Sequence, residues 1–385
     1  MVDPGVRYVP GVTSDSEAIV FVHSSDEQYG ADRILLDLHA ALSDEERTRA
    51  EFWLPNDVPH GTAPLCHELE RRGAVVRHLD LPVLRRAYAT PRALPALLGR
   101  LWRFRREVRR SRPTLVYLST SAVFLAAPVA RLCRVPHVVG HVQEVWGGLE
   151  TRVLGPLARA LHLVVAISEP VRQALPTRLR ERAHVVLNAT AEPERLVPLE
   201  GRTGPLGFLV ASRWNGWKGH RTLLAAWDRL DSPGRLVVLG GAPASGESVD
   251  VPALVRTLRH PDSVEVVGEV PDPSDWVEQA DVVLVPSDQP EPFGLVAVEA
   301  FARGRPVVAS AGGGLADIVT DGVDGWLFPH RDDEALAHVL ESLSRDTVAT
   351  AGARARATYE ERFTAARYAA DWRRALGSAL GSAAE

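Results

Sequence analysis

Two α/β domains, each a parallel sheet covered by helices on both faces in the Rossmann-like manner, are the fold that the sequence predicts. Three observations lead there. A chain of 385 residues is longer than one hydrophobic core usually grows. Apolar runs of strand length alternate with segments of helical spacing through both halves. Between the halves, residues 191–205 hold Pro193, Pro198, Gly201, Gly204 and Pro205 with no apolar period, which reads as a linker.

The elements follow in order. Ala18-Ile19-Val20-Phe21-Val22 reads as a buried strand, and the spacing of Ile34, Leu35, Leu38 and Leu42 predicts a helix over 32–42. Ala74-Val75-Val76 is a short strand after Gly73. Leu94, Leu97, Leu98, Leu101 and Val108 share one side of a helix over 94–108. Strands are expected at 115–118, 137–139, 163–166 and 185–187, then past the linker at 206–210, 235–239, 264–267, 282–285 and 306–309. The tail, 354–384, reads as helical and surface-lying. Doubly wound sheets bind ligands beyond the carboxyl ends of their strands, so the chemistry is sought in those loops.

Composition narrows the function. With 45% hydrophobic and 24% charged residues the chain is of ordinary globular make-up, and its net charge of -5 gives no support for a nucleic-acid partner. Cys66 and Cys133 form no paired motif, so neither a disulfide framework nor a zinc site is expected. Met1 to Val12 lacks the pattern of a secretory leader, and no segment offers about 18 consecutive apolar residues, so a cytoplasmic location is expected. The basic residues are almost all arginine; the single lysine is Lys218.

That lysine sits in the richest part of the chain. Ser212 to His220 follows the first strand of the second half and carries Arg213 and Lys218, two cations that would neutralise a diphosphate leaving group. Lysine there, among arginines everywhere else, suggests a site that wants a compact ammonium. Glu291-Pro292-Phe293-Gly294-Leu295 follows another strand, with a helix expected to begin near Phe293. Its unpaired N–H groups and positive end favour an anion. Glu299 lies eight residues beyond Glu291, roughly 12 Å if all of it is helix, too far for an acid/base pair on one bond. The two carboxylates suit hydroxyls at opposite ends of a nucleotide sugar. Gly312-Gly313-Gly314 is expected to let backbone approach a ligand closely.

The second half resembles glycosyltransferase family 4, a retaining family with the GT-B fold. The resemblance is carried by Arg213 to Gly219, Glu291 to Glu299, Gly304 to Ala309 and Gly322 to Phe328. The first half is similar more loosely, through Tyr29-Gly30-Ala31-Asp32-Arg33, where Ala31 and Asp32 depart from the family's usual Gly and Glu, through Pro136 to Glu144, and through 165–169 and 186–189. The resemblance implies a GT-B arrangement, two Rossmann-like domains facing across a cleft. Residues 1–195 would bind the acceptor, with the helix 365–385 returning to them, and residues 203–364 would bind the donor.

It also implies roles. Arg213 and Lys218 would bind the donor diphosphate, Glu299 the ribose, and Glu291 the transferred sugar, assisted by backbone N–H groups at Phe293, Gly294 and Leu295. Gly268 and Val270 would meet the base through backbone groups, Gly30 would approach the phosphates, and His141 would sit beside the reacting face of the sugar. His23, at another strand end, reads as a structural histidine; Glu144 and Glu150 are weaker candidates for acceptor-side bases. The expected function is transfer of a sugar from a nucleoside-diphosphate sugar to a hydroxyl acceptor by front-face substitution. With no Asp-x-Asp triplet, no metal and no further cofactor are expected. A sugar-nucleotide epimerase and a non-catalytic nucleotide-sugar-binding protein remain alternatives. Arg85 to Arg112 holds ten arginines interleaved with Trp102 and Phe104. It reads either as a sheet-covering helix with a solvated face or as a peripheral contact with anionic membrane on its inner face.

Overall fold

The computed structural model describes residues 18–27, 30–57, 64–85, 91–243 and 247–380. Met1 to Val12, Tyr29, Arg86 and the last five residues, all used above, lie outside the described residues. Internal packing divides the chain into two compact units, residues 1–141 with 153–163, and residues 142–152 with 164–385.

The first sheet has seven strands: β1 (Ile19–Val22), β2 (Ala50–Pro55), β3 (Val75–Leu79), β4 (Leu115–Leu118), β5 (His137–Val142), β6 (Leu163–Ala166) and β7 (Ala183–Val185). Their order is β3-β2-β1-β4-β5-β6-β7. β1 lies between β2 and β4, parallel to both, with Phe21 opposite Phe52 and Tyr117. The register stacks those rings: Phe21 and Phe52 lie 4.9 Å apart and nearly coplanar, and Tyr117 stands 5.4 Å from Phe21.

The second sheet has six strands: β8 (Gly207–Ala211), β9 (Arg235–Leu239), β10 (Val264–Gly268), β11 (Val282–Val285), β12 (Val307–Ser310) and β13 (Gly325–Phe328). They run β10-β9-β8-β11-β12-β13 with parallel pairing throughout. In this sheet the direction of winding reverses between β8 and β11. A doubly wound sheet leaves a crevice beyond the carboxyl ends at such a point.

Two strands escaped the sequence reading. β2 follows directly on a helix of charged residues, Asp44–Arg49, carries Glu51 and ends in Pro55, so its apolar run looks like the end of a helix. β13 is four residues in a stretch of Asp and Gly turn formers. Both are placed by a neighbouring strand rather than by their own pattern: β2 by β1, β13 by β12. The tail also differs from expectation. It forms two helices, Arg345–Arg362 and Ala365–Leu380, that bury Tyr359, Tyr368 and Trp372 rather than merely lying on a surface.

The second sheet's core gathers Phe208, Val210, Leu236, Val238, Val282, Leu284 and Val308 against Leu223, Leu224 and Trp227 of the helix His220–Arg229. Trp227 is the largest of these. Its ring meets Phe208 edge-on at 5.4 Å, and its indole N–H donates to Ser263 Oγ at 2.9 Å. Truncation leaves a void this packing cannot close, so Trp227→Ala should cost about 3–5 kcal/mol. Urea denaturation followed by circular dichroism measures it. A loss below about 1 kcal/mol would mean the helix does not depend on this anchor.

Candidate functional site

The carboxyl ends of β8 and β11 are tied together by a small set of contacts. After β8 the chain turns through Gly216–Lys218 into the helix His220–Arg229, with Gly219 at φ +74° between them. A Cβ on Gly219 would lie 1.7 Å from the carbonyl oxygen of Pro286, so only glycine lets this loop pass the β11 loop. Asp288 N–H donates to Trp217 O at 2.8 Å and Thr222 Oγ1 donates to Asp288 Oδ1 at 2.7 Å, which fixes the two loops against each other.

Lys218 and Glu291 meet inside this frame. Lys218 Nζ donates to Glu291 Oε1 at 2.7 Å, and Ser287 Oγ donates to the same oxygen at 2.5 Å. The ammonium also lies 4.2 Å from the centre of the Trp217 ring. Glu291 is 5% exposed, so these partners compensate a carboxylate taken almost wholly out of water. The sequence expectation gave these two residues separate tasks; the structure pairs them directly. Arg213 is exposed on the same β8 loop.

Glu291 is held as firmly through its backbone. It bridges in parallel to Gly313, and Gly314 N–H donates to Glu291 O at 2.7 Å. Gly313 has φ +60°, and a Cβ there would lie 2.1 Å from Glu291 O. Within the glycine run, a Cβ on Gly314 would strike the Phe293 backbone and one on Gly312 the His330 ring. The helix was expected near Phe293 but begins at Leu295, after Gly294. Only half of the stretch from Glu291 to Glu299 is therefore helical, and the 12 Å helical separation does not apply. The Phe293 side chain is buried, 6.2 Å from the Phe363 ring, which leaves only its backbone to a ligand. Leu295 and Val296 supply the unpaired N–H groups of a helix start, and Glu299 is half-buried in the third position after Val296.

Gly268 ends β10 at φ +97°, and its carbonyl accepts from Gly240 N–H at 2.8 Å, so that oxygen is already engaged. Val270, two residues on, is half-buried. His220 is buried under Lys218. Burial, and then the Lys218 charge, lowers its pKa to about 4. His330, which no sequence motif marks, donates its Nδ1–H to Ser287 O at 2.8 Å. Ser168 Oγ donates to Pro292 O at 2.6 Å and also caps its own helix. Ser168 and His330 each meet a backbone oxygen far along the chain, whereas Ser287 meets the Glu291 carboxylate four residues on; no motif in the sequence marks Ser287 or His330.

The first unit holds His141 at the end of β5, fully buried. Its Nδ1 lies 3.1 Å from Tyr117 Oη, and Nε2 has no partner among the described residues. Burial, and then the charge of His23, pushes its pKa down to about 3, so the ring is neutral at physiological pH. His23, at the end of β1, has both ring nitrogens engaged: Nδ1 meets Ser119 Oγ at 2.6 Å and Nε2 meets Asp32 Oδ1 at 3.0 Å. Asp32, noted only as a departure from a family pattern, thus anchors His23 and also accepts from Ser25 Oγ at 2.7 Å. Gly30 opens the helix Gly30–Ala41 that carries Asp32. Of the weaker candidates, Glu150 Oε2 accepts Gly147 N–H at 3.1 Å, and Glu144 Oε2 accepts Gln143 N–H at 3.2 Å. Cys66 lies with Asp26 and His78, and the ligand atoms of the three fall within 4.8 Å of one another. Both Asp26 oxygens are engaged, one by Cys66 N–H and one by His78 Nε2, each at 2.9 Å, and burial raises the thiol to about 12.

With this geometry in view, residues 205–346 match the family of group 1 glycosyl transferases. Over these residues the chain is similar to that family. The curated relatives include a D-inositol 3-phosphate glycosyltransferase of Xylanimonas cellulosilytica, 44% identical over 161 residues, which are 41% of this chain and 37% of the relative. Another is a glycogen synthase of Mycobacterium tuberculosis, 35% identical over 40% of this chain and 38% of the relative. The chain thus spans less than half the length of the curated relatives it matches. Among solved structures, Anabaena HepE in complex with UDP-glucose aligns over 94% of this chain and 99% of its own, with a TM-score of 0.77 at 22% identity. The lipopolysaccharide outer core galactosyltransferase WaaB aligns over 94% and 99%, with a TM-score of 0.71 at 17% identity. At these identities the likeness is one of fold, and that fold is GT-B.

The buried histidines set a pH dependence of stability. His141 and His220 stay neutral in the folded chain but would take a proton below their ordinary 6.5 once unfolded. Protons therefore favour the unfolded state as pH falls through 6.5, and stability drains away toward about 4 and about 3. Each group should cost about 2 kcal/mol at pH 5. Urea midpoints at pH 5 and 7.5 measure the slope, and His220→Gln should remove about half of it. An unchanged slope in that variant would rule His220 out.

Proposed function

We propose that the chain is a retaining glycosyltransferase that moves a sugar from a nucleoside-diphosphate sugar to a hydroxyl acceptor. The observation that carries this reading is the Lys218–Glu291–Ser287 cluster at the reversal of the second sheet, next to the start of the helix Leu295–Ala302. A pyrophosphate there draws on Lys218, Arg213 and the first N–H groups of that helix. The cations act on the charge that builds on the departing phosphate as the glycosidic bond breaks. Glu291 keeps Lys218 oriented and turns its remaining acceptor capacity to a hydroxyl of the sugar. Glu299 takes the ribose hydroxyls, and the loop at Gly268 and Val270 meets the base.

The acceptor hydroxyl attacks on the face the diphosphate leaves, and a phosphate oxygen takes its proton. His141 contributes as a neutral hydrogen-bonding ring and not as a proton carrier, since burial keeps it uncharged. No protein carboxylate forms a bond to the sugar. Arg213 and Lys218 do the work that a divalent cation does elsewhere, so no metal is required. HepE has been solved with UDP-glucose, which makes uridine diphosphate sugars the first donors to try.

Release of nucleoside diphosphate from a panel of donors, with acceptor absent and present, tests the reading. Lys218→Ala should lower kcat/KM by about 10²–10³-fold. Lys218→Arg should not restore it, because a guanidinium fork cannot repeat the single contact to Glu291. Turnover should persist in EDTA, and the product should keep the anomeric configuration of the donor. Donor binding without release would make the chain a binding protein instead, and a glycosylated carboxylate found by mass spectrometry would replace the front-face route with a double displacement.

A further inference from the structure

We propose that the outward face of the helix Leu94–Ser111 is a docking surface for an anionic lipid bilayer. Three large apolar residues on it stand in water: Leu94 is 54% exposed, Leu98 57% and Trp102 58%. Their spacing of four residues puts them on one stripe of the helix. The stripe cannot turn inward, because the opposite side is anchored. Phe104 is buried with its ring 5.8 Å from Trp53, Val108 is buried, and Glu107 accepts from Arg77 at 2.6 Å.

The arginines of this segment fall into two groups, which the sequence alone does not separate. Arg85 and Arg100 pair with Asp57, and Arg103 with Asp80, so these are spent within the fold. Arg105, Arg109 and Arg110 are exposed and form no ion pair with a carboxylate among the described residues. They continue the outward side from the apolar stripe toward the helix end, and the Arg106 guanidinium lies 5.6 Å from the centre of the Trp102 ring. The patch extends onto the neighbouring helix Ala126–Leu132. There Leu132 is 75% exposed, Arg134 is exposed, and the Cys133 thiol reaches Arg105 O at 3.8 Å.

The whole chain carries a net charge of -5, so this cationic face is not a by-product of a basic protein. Apolar side chains beside unneutralised guanidinium groups match the boundary where acyl chains meet anionic headgroups. Tryptophan at its edge fits the same boundary, and the arginine stems can lie along it with their heads in the headgroup layer. The inference does not depend on the donor-site reading, since none of these residues belongs to that site.

Co-sedimentation of the full chain with vesicles tests it. Vesicles of phosphatidylglycerol and phosphatidylcholine should bind the chain at low salt, and pure phosphatidylcholine should not. The double variant Arg105→Gln, Arg109→Gln should weaken partitioning by roughly 30-fold. Leu98→Ala with Trp102→Ala should weaken it by roughly tenfold and remove the part that salt does not. Val75→Ala, an exposed apolar residue elsewhere, should change nothing, and unaltered circular dichroism and melting show that each variant is folded. No binding to anionic vesicles, or equal binding by the variants, overturns the proposal. So does sedimentation equilibrium in which the wild type self-associates and the Leu98, Trp102 variant does not, which would make the cover a second copy of the chain.

Discussion

Glu291 is the constraint around which the second unit's site is arranged. A carboxylate this deeply buried is tolerated only if its charge and lone pairs are met, and Lys218 and Ser287 meet them. Its backbone is gripped as well, by Gly313 and Gly314 beyond β12. The loops after β8, β11 and β12 are therefore locked to one residue. Gly219 and Gly313 follow from that requirement, since any larger residue at either would strike the backbone that passes beside it. On the proposed reading this has a catalytic consequence. The ammonium that would face a pyrophosphate is already drawn from solvent and aimed, so little reorganisation remains when charge builds on the leaving group.

The first unit uses burial in another way. His23 and His141 both stand at the carboxyl ends of adjoining parts of one sheet, and in the sequence they look alike. Their surroundings separate them. Both ring nitrogens of His23 are occupied, by Ser119 and Asp32. His141 has Tyr117 on one nitrogen and, among the described residues, no partner on the other, in a fully buried place. An orphaned polar atom in a buried ring costs stability, and a site that binds a polyhydroxylated ligand is one setting in which that cost is recovered. Neutrality follows from the same burial, which confines the ring to hydrogen bonding.

Much of this was legible without coordinates, and the parts that were not have a common cause. Strands buried on both faces announce themselves as apolar runs, as in Val282 to Val285 or Leu163 to Val165. β2 and β13 do not, because charge, proline or turn formers interrupt them and a neighbouring strand supplies the pairing. The start of the helix at Leu295 was misjudged by two residues because Pro292 imitates a helix start while Gly294 makes the turn. Ser287 and His330 left no trace, since one serine or histidine in a loop has no period to betray it.

By itself the sequence determined what depends on neighbours along the chain: alternating strands and helices, two sheets, loops at strand ends carrying Arg213, Lys218 and Glu291, and a helix rich in arginine. Only the tertiary structure decided what depends on distant residues and on solvent. The pairing of Lys218 with Glu291 joins residues 73 apart. The neutrality of His141 comes from complete burial. The division of the Arg85–Arg112 arginines into spent and open ones rests on Asp57 and Asp80, which no helical period reveals. Periodicity is a local property, whereas charge compensation and exclusion of water belong to the packed chain.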